Sequence, residues 1–139
     1  MGAPQEYQRA TDEFFQLLVD ARDIAGLVTT NQSYTMVQGV FQVFRRRVSV
    51  KEAIAFCQVL PAVAQALFIR DWDVGEPRRP FIEMSIMDKE VQELRPLHNF
   101  APEGSIRFVA AALRKNVDER LLEELLARLS EKAREFWTP

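Results

Sequence analysis

Two stretches of this chain repeat one pattern. FRRRVSVKEAIAFCQVLPAVAQALF, residues 44–68, lies over LRKNVDERLLEELLARLSEKAREFW, residues 113–137, at a constant offset of 69 without a gap. Upstream, Val37, Val40 and Phe41 fall on Ile106, Val109 and Ala110; within the stretches Phe44, Val48, Ala53, Phe56, Cys57 and Leu60 fall on Leu113, Val117, Leu122, Leu125, Leu126 and Leu129. Ala64, Leu67 and Phe68 complete the match on Ala133, Phe136 and Trp137. Such self-similarity implies a supersecondary unit used twice, because one copy alone cannot bury its apolar side.

The repeated period is that of a helix. Phe14, Leu17, Leu18 and Ala21 follow the i, i+3, i+4, i+7 rule and predict an amphipathic helix over about residues 5–25, closed by Gly26 with Leu27 folding back. Thr29-Thr30-Asn31-Gln32 starts a second helix, whose stripe ends at Arg45-Arg46-Arg47. Ser49-Val50-Lys51-Glu52 is a capping box for a third helix, and Pro61 suits the first turn of a fourth. Residues 73–80, Asp-Val-Gly-Glu-Pro-Arg-Arg-Pro, form a loop. Further helices are expected near 87–95, 103–115, 119–128 and 131–137, with Asp118 and Ser130 capping the last two. The leading helix also has a counterpart, Asp12-Glu13-Phe14-Phe15 against Asp88-Lys89-Glu90-Val91, at a different spacing. The expectation is an all-α single domain over 1–139: a bundle of about eight helices built from two tandem helical repeats, 5–72 and 81–138, joined by 73–80.

Length, composition and charge narrow the function classes. A chain of 139 residues with 47% hydrophobic and 27% charged residues can build an ordinary globular core. No apolar run approaches the ~20 residues of a membrane span, and no basic-then-apolar leader opens the chain; the expectation is a cytoplasmic protein. Cys57 is the single cysteine, which excludes an intramolecular disulfide and a thiolate zinc site. A net charge of −2 argues against a dedicated nucleic-acid binder.

The half-pattern RRRVSVKEAIAFCQVLPAVAQALF closely resembles a bacterial family catalogued as domain of unknown function 2267. The resemblance rests on the corner Arg45–Arg47, the helix start Ser49 to Ala53, the step Gln58-Val59-Leu60-Pro61 and the aromatic Phe68, with DKEVQELRPLHNFAPEGS and LSEKAREFW similar to the family's second half. It covers most of the chain. It implies an all-α bacterial protein and carries no activity, ligand or catalytic residue with it.

Candidate sites are therefore surfaces. The two copies differ in polarity: Val50, Ile54, Val59, Val63 and Ala66 correspond to Glu119, Glu123, Arg128, Lys132 and Glu135. A helix apolar all round is buried all round, so Val50, Ile54 and Val63 are expected beneath the N-terminal helix or the second copy; the other reading is an interface with another subunit. Arg45, Arg46 and Arg47, with Arg114 and Lys115 at the second corner, could meet phosphates. The bland reading is a solvated helix end whose cations favour the last carbonyls. Asp71, Trp72, Asp73, Arg78 and Arg79 form a candidate binding loop, since long loops often carry function. Glu119, Glu123, Glu124, Glu131 and Glu135 interleave with basic residues as a wet outer face. His98 is the only histidine, and a metal site would need carboxylates from elsewhere, with Glu90 and Glu93 as candidates; the helical Glu-x-x-His pattern is absent. No catalytic residue, cofactor or metal is expected. The first functional expectation is a non-catalytic interaction module, homodimeric or binding another protein. Nucleic-acid binding through Arg45–Arg47 and a small-ligand pocket between the repeats, using 71–81 and His98, are the alternatives. Gly39, inside the second helix, is expected to mark a close helix approach.

Overall fold

The computed structural model describes residues 2–94 and 101–139. Among them are nine helices and no strand: α1 (Gln5–Gln8), α2 (Ala10–Ala25), α3 (Thr30–Arg45), α4 (Val50–Cys57), α5 (Ala62–Ile69), α6 (Met84–Glu93), α7 (Ser105–Arg114), α8 (Glu119–Leu126) and α9 (Glu131–Phe136). The chain is all-α, as its periodicity requires.

Local signals place most boundaries. Thr29 and Ser49 each close a capping box, with Gln32 and Glu52 reaching back to the cap amide. Asp118 and Ser130 accept from the first-turn amides of α8 and α9. Gly26 ends α2 at φ 70°, and Leu27 N donates to Arg22 O as in a Schellman cap. Three expectations are corrected. The helix over 5–25 breaks at Arg9 into α1 and α2. Pro61 is the N-cap of α5, in extended geometry, rather than its first helical residue. α6 starts at Met84, earlier than its apolar stripe suggests, and residue 95 lies outside the described residues.

Helices α2, α3 and α7 pack on one another at the centre. α6 lies on α3 and α7, α5 on α2 and α3, α9 on α7, and α4 meets α5 and α8. The halves cross over: α2 packs on α7, and α6 on α3. Phe41, Phe44, Phe56, Phe68, Phe136 and Trp137 fill the middle; Phe56 and Trp137 stack with centroids 4.9 Å apart. Phe81, arriving from the loop before α6, reaches Phe44 and Phe136 at 6.2 and 6.1 Å. Each such ring pair adds about 0.5–1.5 kcal/mol beyond its buried area.

One helix pair matches at the 69-residue offset: α4, Val50–Cys57, and α8, Glu119–Leu126, have equivalent bounds, with caps at Ser49 and Asp118. In the leading helices, however, burial pairs at 70: Leu17 with Met87, Leu18 with Asp88, Ala21 with Val91. The acidic match of Asp12 with Asp88 is not the structural one.

Gly39 is buried in α3, and a Cβ there would meet Val91 Cγ1 at 3.0 Å and Val91 O at 3.5 Å. The glycine thus marks the close approach of α3 and α6. Gly39→Leu should lower stability by about 1–3 kcal/mol, the scale for an overpacked core; chemical denaturation of the variant beside the native chain checks it.

Candidate functional site

The arginine corner at the end of α3 is inside the protein. Arg45 and Arg47 are only 7% and 3% exposed, which corrects the reading of a solvated helix end. A buried guanidinium must place its N–H groups on acceptors. Arg45 Nη1 donates to Phe68 O at 2.7 Å and Arg70 O at 2.9 Å, and Nη2 to Asp71 O at 3.3 Å. It thereby caps the carbonyl end of α5, where a cation meets the negative end of the helix dipole. Asp71 adopts φ 56°, a left-handed conformation that Asp tolerates better than most residues. The Trp72 ring lies 5.7 Å from Arg45 Cζ.

Arg47 is bound more completely still. Its Nη1 donates to Val43 O at 2.9 Å and its Nε to Pro80 O at 3.1 Å. Both terminal nitrogens reach Glu90 on α6, at 3.2 Å to Oε1 and 2.6 Å to Oε2. Arg46 Nη1 and Arg79 Nη1 also donate to Glu90 Oε1, at 2.6 and 3.2 Å. Glu90, a candidate metal carboxylate by sequence, is therefore the anion that three arginines share. Burial works to raise its pKa, but the hydrogen bonds and charges of Arg47 and Arg46 outweigh burial and hold it below its ordinary 4.5.

The loop residues are drawn onto this corner. Arg79 N donates to Arg46 O at 2.9 Å, and Arg78 Nε to Arg47 O at 3.3 Å. Arg79 also reaches Glu76, and Arg78 lies 3.7 Å from Glu52. Asp73 Oδ1 accepts from Gly75 N in a local turn. Of the candidate binding loop, Trp72, Asp73 and Arg78 border a cavity of about 140 Å³ with Arg45, Arg46 and Val50. Arg79 faces Glu90 and Glu76, while Asp71 is an exposed side chain beside Arg70.

The second corner repeats the arrangement with weaker groups. Asn116, which the offset pairs with Arg47, donates to Ala112 O at 2.7 Å and to Asp20 on α2 at 2.8 Å. Val43 and Ala112 are 69 apart, and Asp20 and Glu90 are 70 apart. Arg114 Nε donates to Trp137 O at 3.0 Å, as Arg45 does to Phe68 O. Arg114 is also paired with Glu119 and Glu123.

The apolar candidates divide. Val63 is half-buried, but Val50 and Ile54 are 42% and 47% exposed. The expected cover is incomplete: the second copy meets α4 through α8, and α5 packs on it too, yet Val50 and Ile54 remain outward. Burial raises the pKa of Cys57, whose thiol donates to Gln65 O at 3.6 Å, so it stays an unreactive core residue. Among the described residues no group of three His, Cys, Asp or Glu is arranged to hold a metal. His98 lies outside the described residues. No helix among them is long and apolar enough to cross a membrane.

Sequence reasoning missed Glu90 and Asp88 as internal acids. Asp88 is 7% exposed, and its Oδ1 accepts from Ile106 N at 3.1 Å, filling the cap role that Gly104 cannot play for α7. Burial raises its pKa despite that bond. The signal was present: both acids lie within the buried stripe Met87 to Val91.

The described residues thus form a helical bundle held at one corner by buried arginines. The family model described as "Uncharacterized conserved protein (DUF2267)" matches residues 14–136, and the chain belongs to that family. No curated protein matches it.

Three outcomes follow from the geometry of the two corners. Glu90→Ala should cost about 3–5 kcal/mol, the scale for removing one partner of a buried ion pair; Asn116→Ala should cost about 1 kcal/mol. Glu90 has a depressed folded-state pKa, so its stabilisation is present above 4.5 and is lost as pH falls below that value. The stability gap between the native chain and Glu90→Gln should therefore narrow below pH 4.5, measured by urea unfolding across the acid range.

Proposed function

We propose that the protein is a non-catalytic helical interaction module. The observation that carries this reading is the outward apolar face of α4: Val50 and Ile54, one turn apart, remain exposed where the corresponding residues of α8 are Glu119 and Glu123. An apolar stripe beside a polar rim is what a protein partner covers. Nucleic acid is the weaker reading, because the donors of Arg47 are spent on internal carbonyls and Glu90, and the exposed side of α4 beside the corner is apolar. A small-ligand enzyme is weaker again. The cavities bordered by residues of the 71–81 loop are about 140 and 160 Å³, below the ~300 Å³ at which small-molecule sites begin; the larger clefts, about 450 Å³ beside Asn116 and 480 Å³ beside Arg114, include no residue of that loop.

We also read the chain as one domain made by duplication of a helical unit. The shared offset of α4 and α8, of their caps and of the Arg45 and Arg114 hydrogen bonds supports this. So does the reciprocal crossing of α2 onto α7 and α6 onto α3. A bacterial cytoplasmic setting suits the single buried thiol.

A photo-crosslinking residue at position 54 should trap a protein partner in cells producing the chain, whereas the same group at position 124 of α8 should not. Adducts of the chain with itself at position 54 would make the partner a second copy. Absence of any position-54 adduct contradicts the interaction reading.

A further inference from the structure

The two arginine corners differ in one respect that bears on the partner. Arg45 and Arg114 each donate to the carbonyl of Phe68 or Trp137. Arg114 is neutralised by Glu119 and Glu123 of α8. The corresponding α4 residues, Val50 and Ile54, offer no charge. Arg45 is more than nine-tenths buried, yet its three hydrogen bonds go to neutral carbonyls, and among the described residues it has no carboxylate in salt-bridge distance. Burial, then the charge of Arg46, lowers the pKa of Arg45, against the charges of Glu76 and Asp71, whose carboxylates raise it without touching it. Taking a cation out of water with no anion in contact is costly, so the first corner is less completely neutralised than the second.

The space for an anion is adjacent. The cavity of about 140 Å³ is walled by Arg45, Arg46 and Arg78, by Val50 and Val74, and by the carboxylates Asp73 and Glu76. Arg46 Nε is buried without a hydrogen-bond acceptor, 3.7 Å from Glu76 Oε1. The carboxylates in and near the cavity are engaged: Glu76 with Arg79 and Arg46, Glu52 with the Ser49 amide, Asp73 with the Gly75 amide. The volume suits one side chain and is too small for a cofactor. Val50, a wall residue, continues into Ile54 on the next turn, and Val74 is exposed at the other side. Arginine and apolar surface are thus continuous.

We propose that this cavity receives an aspartate or glutamate side chain of a partner protein, carried on a short segment whose flanking apolar residues pack on Val50 and Ile54. The inference rests on the interaction reading above and names its site and the chemistry of its partner. Charge selects this occupant over a second copy. A two-fold contact across this face would set the Arg45, Arg46 and Arg78 group against its own image, and like charges oppose such pairing. A nucleic-acid backbone would meet the cations but offer nothing apolar to Val50 and Ile54.

Random peptides displayed on phage, selected against the full-length chain, provide the test. Selected peptides should share an acidic residue beside apolar ones. A synthetic peptide of the selected sequence should bind with an affinity that drops at least tenfold in Ile54→Glu and in Arg78→Ala. Changing its acidic residue to the amide should have the same effect, while Glu124→Gln in the protein should leave binding unchanged. Ile54 and Arg78 are exposed, so unchanged thermal midpoints separate lost binding from lost fold. Selected peptides without an acidic residue, or binding indifferent to both substitutions, overturn the inference while leaving an interaction module at another face. Failure to select any peptide, together with absence of position-54 crosslinks, overturns both. A labelled DNA duplex bound with steep salt dependence, and released by Arg78→Ala, overturns the inference in favour of phosphate recognition.

Discussion

The pairing of Arg47 with Glu90 is the interaction on which the rest of the architecture depends. A guanidinium at 3% exposure is tolerated only if its donors and its charge are both met. Val43 O and Pro80 O take two of the donors, and Glu90 takes the charge. The acid belongs to α6 and the arginine to the end of α3, so the pair fixes the crossing of one half over the other. Asn116 and Asp20 do the same between the α7–α8 corner and α2, with a neutral donor and a partly exposed site. The charged clamp has the larger consequence because it is the more buried.

The same corner organises the segment between α5 and α6. Arg45 holds the end of α5 through three carbonyls, and Arg79 N and Pro80 O attach the following strand of loop to Arg46 and Arg47. Phe81 then enters the aromatic centre beside Phe44 and Phe136. A stretch with no periodicity is therefore held by backbone and guanidinium hydrogen bonds instead of apolar packing. What these contacts leave open is the outer side of α4, where hydrophobic residues face water next to a cation, Arg45, that has no carboxylate in contact.

Much of this was legible in the sequence, and the rest was not for physical reasons. Caps are local, so Thr29, Ser49, Asp118, Ser130 and Gly26 could be read from a few neighbouring residues. The close approach at Gly39 could be read because an unpacked glycine is unfavourable inside a helix. The fate of the arginines depended on residues more than 20 positions away: Phe68, Pro80 and Glu90. Periodicity does not report such pairing, and three consecutive cations at a helix end look the same whether solvated or buried. The covering of Val50 and Ile54 was misjudged for a related reason. An apolar helix face signals burial, but the signal does not say that the same chain must provide the cover. Comparing α4 with α8 locates the surplus correctly; only packing shows that it stays outside.

The central claim is that the arginine corner is an internal clamp rather than a solvated helix end. Nitrogen-15 NMR of the arginine side chains tests it most directly. The Nε–H of Arg47, donated to Pro80 O, should give a resolved signal that exchanges slowly with water near neutral pH and becomes fast-exchanging in Glu90→Ala. Arg47 exchanging as rapidly in the native chain as a solvent-exposed arginine such as Arg120 would contradict the account.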